Sequence, residues 1–232
     1  MQQVKLPENK KTSHYAVRES IKTIRTNLQF CAMGCRVILI TSCLAHEGKT
    51  TVTIELARSL TEIGKRVLVL DADLRKATIM RRASLEGSVK GLSQYLSGQA
   101  TAEEIICSTQ YDGFDIAFAG QCPPNPAELV GSSEMQTFLQ TKKEEYDYVL
   151  VDTPPVGVVI DAAVLASHCD GAVMVLSLDE TGYKEAGEAK AQLEKSGCRI
   201  VGAIVNEARQ NRRRGFVRKI AARFKRKAAK NV

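Results

Sequence analysis

The segment Ala45-His46-Glu47-Gly48-Lys49-Thr50-Thr51 carries residue types suited to one chemistry, the binding of a nucleoside triphosphate. It follows an apolar run and opens a helical pattern. Gly48 lets backbone amides approach phosphate oxygens at a helix N-terminus. Lys49 is spaced to reach the β- and γ-phosphates, and the Thr50 hydroxyl to ligate Mg2+. The match to a full phosphate loop is partial, because the first glycine of that pattern would fall at Cys43. Two acidic run ends add to it. Val67-Leu68-Val69-Leu70-Asp71-Ala72-Asp73-Leu74-Arg75 carries carboxylates at i and i+2 where an apolar run stops. One carboxylate near Mg2+ can bind the ion or its waters, and another can accept a proton from an attacking hydroxyl. Tyr148-Val149-Leu150-Val151-Asp152 ends on a third acid, the Walker B arrangement that organises the metal. Any one of these acids alone reads equally well as a helix cap. Three of them with a Gly-Lys-Thr loop point to nucleotide chemistry.

A scaffold must bring these residues to one place. Candidate strands recur at 36–42, 66–71, 115–119, 148–152, 172–177 and 199–206. Most are continuous apolar runs, the pattern of strands buried on both faces. Helical patterns lie between them at 49–63, 132–143, 161–167 and 181–196, with another at 13–33 that puts Ile21, Ile24 and Leu28 on one face. Such alternation predicts an α/β fold of P-loop type, with a mostly parallel central sheet and helices on both faces. Ligands on these sheets bind beyond the carboxyl ends of the strands, where Asp71, Asp73 and Asp152 fall.

Length and composition agree with this reading. The chain has 232 residues, 44% apolar and 25% charged, enough for one domain at 1–208 with a full core. No apolar run reaches the roughly 18 residues that span a bilayer, and the polar lead at 1–11 has no signal-peptide core. The expected location is cytoplasmic, with recruitment to the inner face of the cell membrane. Seven cysteines form no CxxC pair and no zinc spacing, so reduced, structural thiols are expected.

The net charge of +7 is unevenly placed: residues 209–232 hold eleven Lys or Arg and no acid, which leaves the body mildly acidic. Within that segment Phe216, Val217, Ile220, Ala221 and Phe224 share a helical face at 213–230, ringed by basic residues. An anionic membrane surface suits it. A cytosolic segment of a membrane partner and a solvated tail remain open, and nucleic acid is not the expected partner.

Several stretches resemble the bacterial tyrosine kinases (BY-kinases), which share a deviant P-loop fold with the Min- and Par-type ATPases. Asp71-Ala72-Asp73-Leu74-Arg75 resembles their extra Walker motif, and Asp152-Thr153-Pro154-Pro155 followed by Asp161-Ala162 resembles their Walker B segment. Gly91-Leu92-Ser93-Gln94-Tyr95-Leu96-Ser97-Gly98 is similar to the stretch that follows the extra motif. Gly120-Gln121-Cys122-Pro123-Pro124-Asn125-Pro126-Ala127-Glu128-Leu129 resembles their proline-rich turn most specifically. Glu19, Lys22 and Arg25 resemble a charged N-terminal helix, with Lys22 replacing an arginine.

The resemblance spans about residues 15–206 and implies ATP and Mg2+ as cofactors. Lys49 would hold the transferring phosphate. Thr50, Asp73 and Asp152 would organise the metal, and Asp71 would orient or deprotonate the tyrosine hydroxyl. The loop 45–51 and Arg75 would line the nucleotide. Asn206 would contact the base, although a turn residue fits the same spacing. The charged helix would build a homo-oligomer. A transmembrane polysaccharide co-polymerase or adaptor and tyrosine-bearing proteins would be partners in capsular or exopolysaccharide synthesis.

Two departures matter. His46 stands where the family has glycine, which narrows the available backbone geometry; the imidazole reads as solvent-facing or as a base. The six tyrosines end at Tyr183, so a C-terminal tyrosine cluster does not carry over. A Min- or Par-type switch and a subunit that binds ATP without transfer are the competing readings.

Overall fold

Apolar runs of this kind need cover on both faces, and the chain provides it with one sheet between two helical layers. The computed structural model describes residues 2–6, 15–80, 83, 89–178 and 180–206. The strands among them are β1 (Gln2–Val4), β2 (Val37–Ser42), β3 (Val67–Asp71), β4 (Ile106–Thr109), β5 (Phe114–Ala117), β6 (Tyr148–Asp152), β7 (Gly171–Ser177) and β8 (Ile200–Asn206). They lie in the order β1-β4-β5-β3-β6-β2-β7-β8. Every neighbouring pair is parallel except β4 with β5.

The helices are α1 (Tyr15–Cys31), α2 (Lys49–Thr61), α3 (Leu92–Leu96), α4 (Ala102–Ile105), α5 (Pro126–Val130), α6 (Ser133–Glu145), α7 (Asp161–Ala166) and α8 (Tyr183–Lys195). The pleat of β2 sends Val37 and Leu39 to one layer and Ile38 and Ile40 to the other. Helices α1 and α2 cover the second layer with Leu28, Val52, Leu56 and Leu60. Phe138, Leu165 and Leu193 from α6, α7 and α8 fill the first. Burying each such side chain contributes about 1.5–3 kcal/mol, and this packing fixes where the strand ends sit.

Two strands had no clear signal in the sequence. β1 lies in the segment read as a polar lead. Val4 and Leu6 are buried there, and Leu6 exchanges two backbone hydrogen bonds with the Gln110 side chain, at 2.9 and 2.8 Å. Three residues are too few to display a period. β4 follows a single helical turn and pairs antiparallel with β5, Ile106 opposite Ala117. The helix expected at 13–33 spans Tyr15–Cys31. The basic segment, its expected helix at 213–230 and the domain boundary at 208 lie outside the described residues.

Candidate active site

The strand order assembles the site. β6 lies between β3 and β2, so the ends of β3 and β6 adjoin the loop that follows β2. Asp71 is opposite Asp152 in register, and the Ala72 N–H donates to the Asp152 carbonyl at 2.8 Å. Thr50, the second residue of α2, donates its hydroxyl to Asp152 Oδ2 at 2.6 Å, and both side chains are buried. Lys49 opens α2 beside them, half-buried.

Asp71 is fully buried and accepts hydrogen bonds from the N–H groups of Asp73 (3.2 Å) and Ile79 (3.3 Å). Burial, then the charge of Asp152, holds its carboxyl well above the usual carboxylate range. The Ile79 N–H pulls the other way, the Asp73 charge adds to the rise, and the Asp73 N–H opposes it. Asp73 closes the turn after β3 by accepting from the Lys76 N–H at 3.2 Å.

Among the described residues no three His, Cys, Asp or Glu side chains form an all-protein metal cage. The donors nevertheless fit Mg2+. They are hard oxygens from Thr50, Asp73 and Asp152 beside a phosphate loop, and this ion keeps waters and takes substrate phosphates as ligands. A divalent cation there would also offset the mutual repulsion of Asp71 and Asp152.

The loop itself departs from glycine geometry. Gly48 caps α2 at φ 83°, in the left-handed region, and exposed His46 sits at φ 69°, where glycine is favoured. Ala45 is half-buried and Thr51 already belongs to α2. Cys43 fills the place of the first glycine, and burial, with the Glu47 and Glu185 charges, pushes its thiol up to about 12. Glu47 turns inward and is 2% exposed. Its Oε2 accepts from the Leu44 N–H at 2.7 Å, and its Oε1 from the Ser177 N–H at 3.2 Å and from the Thr181 hydroxyl. Ser177 and Thr181 lie some 130 residues away in sequence, so no spacing rule points to them.

Three other residues take roles that the sequence did not indicate. The Arg75 guanidinium forms a two-pronged pair with buried Asp161, Nε to Oδ2 at 2.8 Å and a terminal nitrogen to Oδ1 at 2.9 Å. It thereby ties the turn after β3 to α7. Asn206, at the end of β8, donates to the Glu47 carbonyl at 3.0 Å and packs against Gly48. Arg25 points inward to Ser59, donating to its carbonyl at 2.7 Å and its hydroxyl at 3.1 Å, whereas Glu19 and Lys22 pair with each other at the surface.

The two segments similar to the stretch after the extra motif and to the proline-rich turn meet directly. Gly91 packs on Gly120, where a side chain at either would collide, and the Leu92 N–H donates to the Phe118 carbonyl at 2.7 Å.

Residues 35–187 match the family described as an AAA domain. The tyrosine-protein kinase CpsD of Streptococcus agalactiae is 37% identical over 207 residues, 89% of this chain and 88% of that protein. The kinase domain of the Escherichia coli tyrosine kinase Etk has a TM-score of 0.76 at 27% identity, covering 89% of this chain and 91% of that one. The septum site-determining protein MinD of Pyrococcus horikoshii, solved with Mg-ADP, has a TM-score of 0.61 at 26% identity, covering 73% of this chain and 69% of that one. The likeness to MinD covers the P-loop fold, while the likeness to the kinases runs through nearly all of the chain. With the phosphate loop and the acids at 71, 73 and 152 gathered at the carboxyl ends of the central strands, the chain belongs to the P-loop bacterial tyrosine-protein kinases.

Proposed function

We propose that this kinase transfers the γ-phosphoryl group of Mg-ATP to protein tyrosines, those of its own subunits included. It would act with a transmembrane polysaccharide co-polymerase or adaptor in capsular or exopolysaccharide synthesis and export. The supporting observation is the 2.6 Å hydrogen bond from Thr50 to Asp152, with Asp71 opposite Asp152 across β3 and β6. Phosphoryl transfer asks chiefly for positioning and charge neutralisation, and these groups supply both.

Lys49 and the amides at the start of α2 hold the β- and γ-phosphates. Mg2+, when bound, neutralises charge on the transferring group, and Thr50, Asp73 and Asp152 are the residues that would hold it. A phenol has an unperturbed pKa of about 10 and needs a basic neighbour. Asp71, at the end of β3 opposite Asp152, is that base. Lys22 is exposed and Glu19 half-buried on α1, where they would contact a second subunit, and Arg25 fastens α1 to α2. The basic segment at 209–232 would hold the protein at the inner face of the membrane.

The test is incubation with Mg-ATP and an adaptor fragment, followed by an anti-phosphotyrosine blot and a phosphate-release assay. Lys49→Met and Asp73→Ala should abolish phosphotyrosine; unchanged signal in either would reject the assignment. The likeness to MinD favours a second reading, an ATPase switch without transfer. Such switches usually carry a lysine five residues before the Walker lysine, and this chain has Leu44 there, packed against the core. Phosphate release without phosphotyrosine would select the switch.

A further inference from the structure

The phosphate loop holds a geometry that its sequence disfavours. His46 occupies the left-handed region at φ 69°, as does Gly48 at φ 83°. For a residue with a Cβ that conformation carries a steric cost, although histidine bears it better than most. Between the two lies Glu47, whose buried carboxylate joins two parts of the molecule. It spans the loop to the Leu44 N–H, and it reaches the end of β7 at the Ser177 N–H and the Thr181 hydroxyl. The Thr181 hydroxyl also accepts from the Ser177 N–H at 3.0 Å, so the carboxylate joins an existing turn. Asn206 clamps the Glu47 carbonyl from β8. Hydrogen bonds to a charged, buried acceptor are strong enough to offset one residue in the left-handed region.

We propose that Glu47 is a positioning residue. Its carboxylate braces the phosphate loop against the end of β7, while Asn206 of β8 holds its backbone carbonyl, and so maintains the nucleotide-binding shape despite histidine at position 46. The inference deepens the reading of this loop as the ATP site and rests on it. Glutamine at 47 keeps the size and can still accept from β7, but its amide NH2 then faces the Leu44 N–H, donor against donor. Loop closure weakens while Lys49, Thr50 and the acids remain. Glycine at 46 removes the need for the brace. The two substitutions are therefore coupled, which a general packing defect would not produce.

The experiment is a double-mutant cycle on the whole chain with wild type, Glu47→Gln, His46→Gly and the double variant. A fluorescent ADP analogue with Mg2+ reports affinity, phosphotyrosine formation reports kcat and KM, and amide hydrogen exchange of residues 43–48 is followed without nucleotide. Glu47→Gln should weaken nucleotide binding by about tenfold, the loss of roughly one charged hydrogen bond. The loss should appear in Kd and KM more than in kcat, with faster exchange in the loop. His46→Gly in that background should restore most of the affinity and slow the exchange again. Wild-type affinity and exchange in Glu47→Gln, or simple addition of the two effects, would overturn the brace. If wild type itself binds no Mg-nucleotide, the kinase reading fails instead, and the exchange data still decide the brace.

Discussion

Gly48→Ala tests how the phosphate loop is held. The substitution keeps every charged group and adds one methyl. At φ 83° a residue with a Cβ pays about 1–2 kcal/mol for the left-handed conformation. The new methyl also collides with the Asn206 side-chain amide, which must swing away and lose its 3.0 Å bond to the Glu47 carbonyl. A lost hydrogen bond costs about 1 kcal/mol. Together these give about 2–3 kcal/mol, or roughly 30- to 150-fold weaker Mg-nucleotide binding at 1.4 kcal/mol per decade. Isothermal titration with Mg-ADP measures it. Asn206→Ala alone should lose only about fivefold, the hydrogen-bond share of the cost. The double variant removes the collision but keeps the backbone cost, so it should bind no worse than Gly48→Ala. Binding by Gly48→Ala within threefold of wild type would refute the reasoning, because neither the backbone cost nor the clamp would then matter.

Other outcomes follow from the same geometry. Arg75→Ala leaves the buried Asp161 carboxylate without its two-pronged partner and should lower stability by about 1–3 kcal/mol, read as a fall in Tm; a loss confined to nucleotide affinity would return Arg75 to the nucleotide. Leu56→Ala opens a cavity between α2 and the sheet, where Leu56 is fully buried, and should cost about 2–5 kcal/mol in urea unfolding. Burial pushes Asp170 up, but the Lys143 ammonium and the N–H groups of Val37 and Arg36 win and hold it below 3.8. Its stabilisation is therefore present above that value and lost as pH falls through the lower folded one. Asp170→Asn should flatten the acid limb of stability against pH, and an unchanged limb would contradict the assignment.

Local rules carried far into this chain. Continuous apolar runs between helical patterns announced a buried parallel sheet, and six of the strands fall within about two residues of those runs. The acids at 71, 73 and 152 were legible because each stands where such a run stops. Edge elements were not legible. β1 buries one side chain in three residues, and β4 is short and antiparallel, so neither shows a clear period. Arg75 and Arg25 read as ligand or subunit contacts because the sequence does not say which carboxylate or carbonyl lies within reach of a long side chain.

What the sequence by itself determined was the chemistry: a lysine and a threonine at a helix start, and carboxylates at strand ends. Those properties depend on neighbours a few residues apart, where propensity and period operate. Only the tertiary structure decided the company these groups keep. The sheet places β6 between β3 and β2, which sets Asp152 beside both Asp71 and Thr50. It also carries the ends of β7 and β8 to Glu47 across some 130 and 160 residues. Strand order is set by packing two apolar faces at once, a balance summed over the whole core, so no local stretch encodes it.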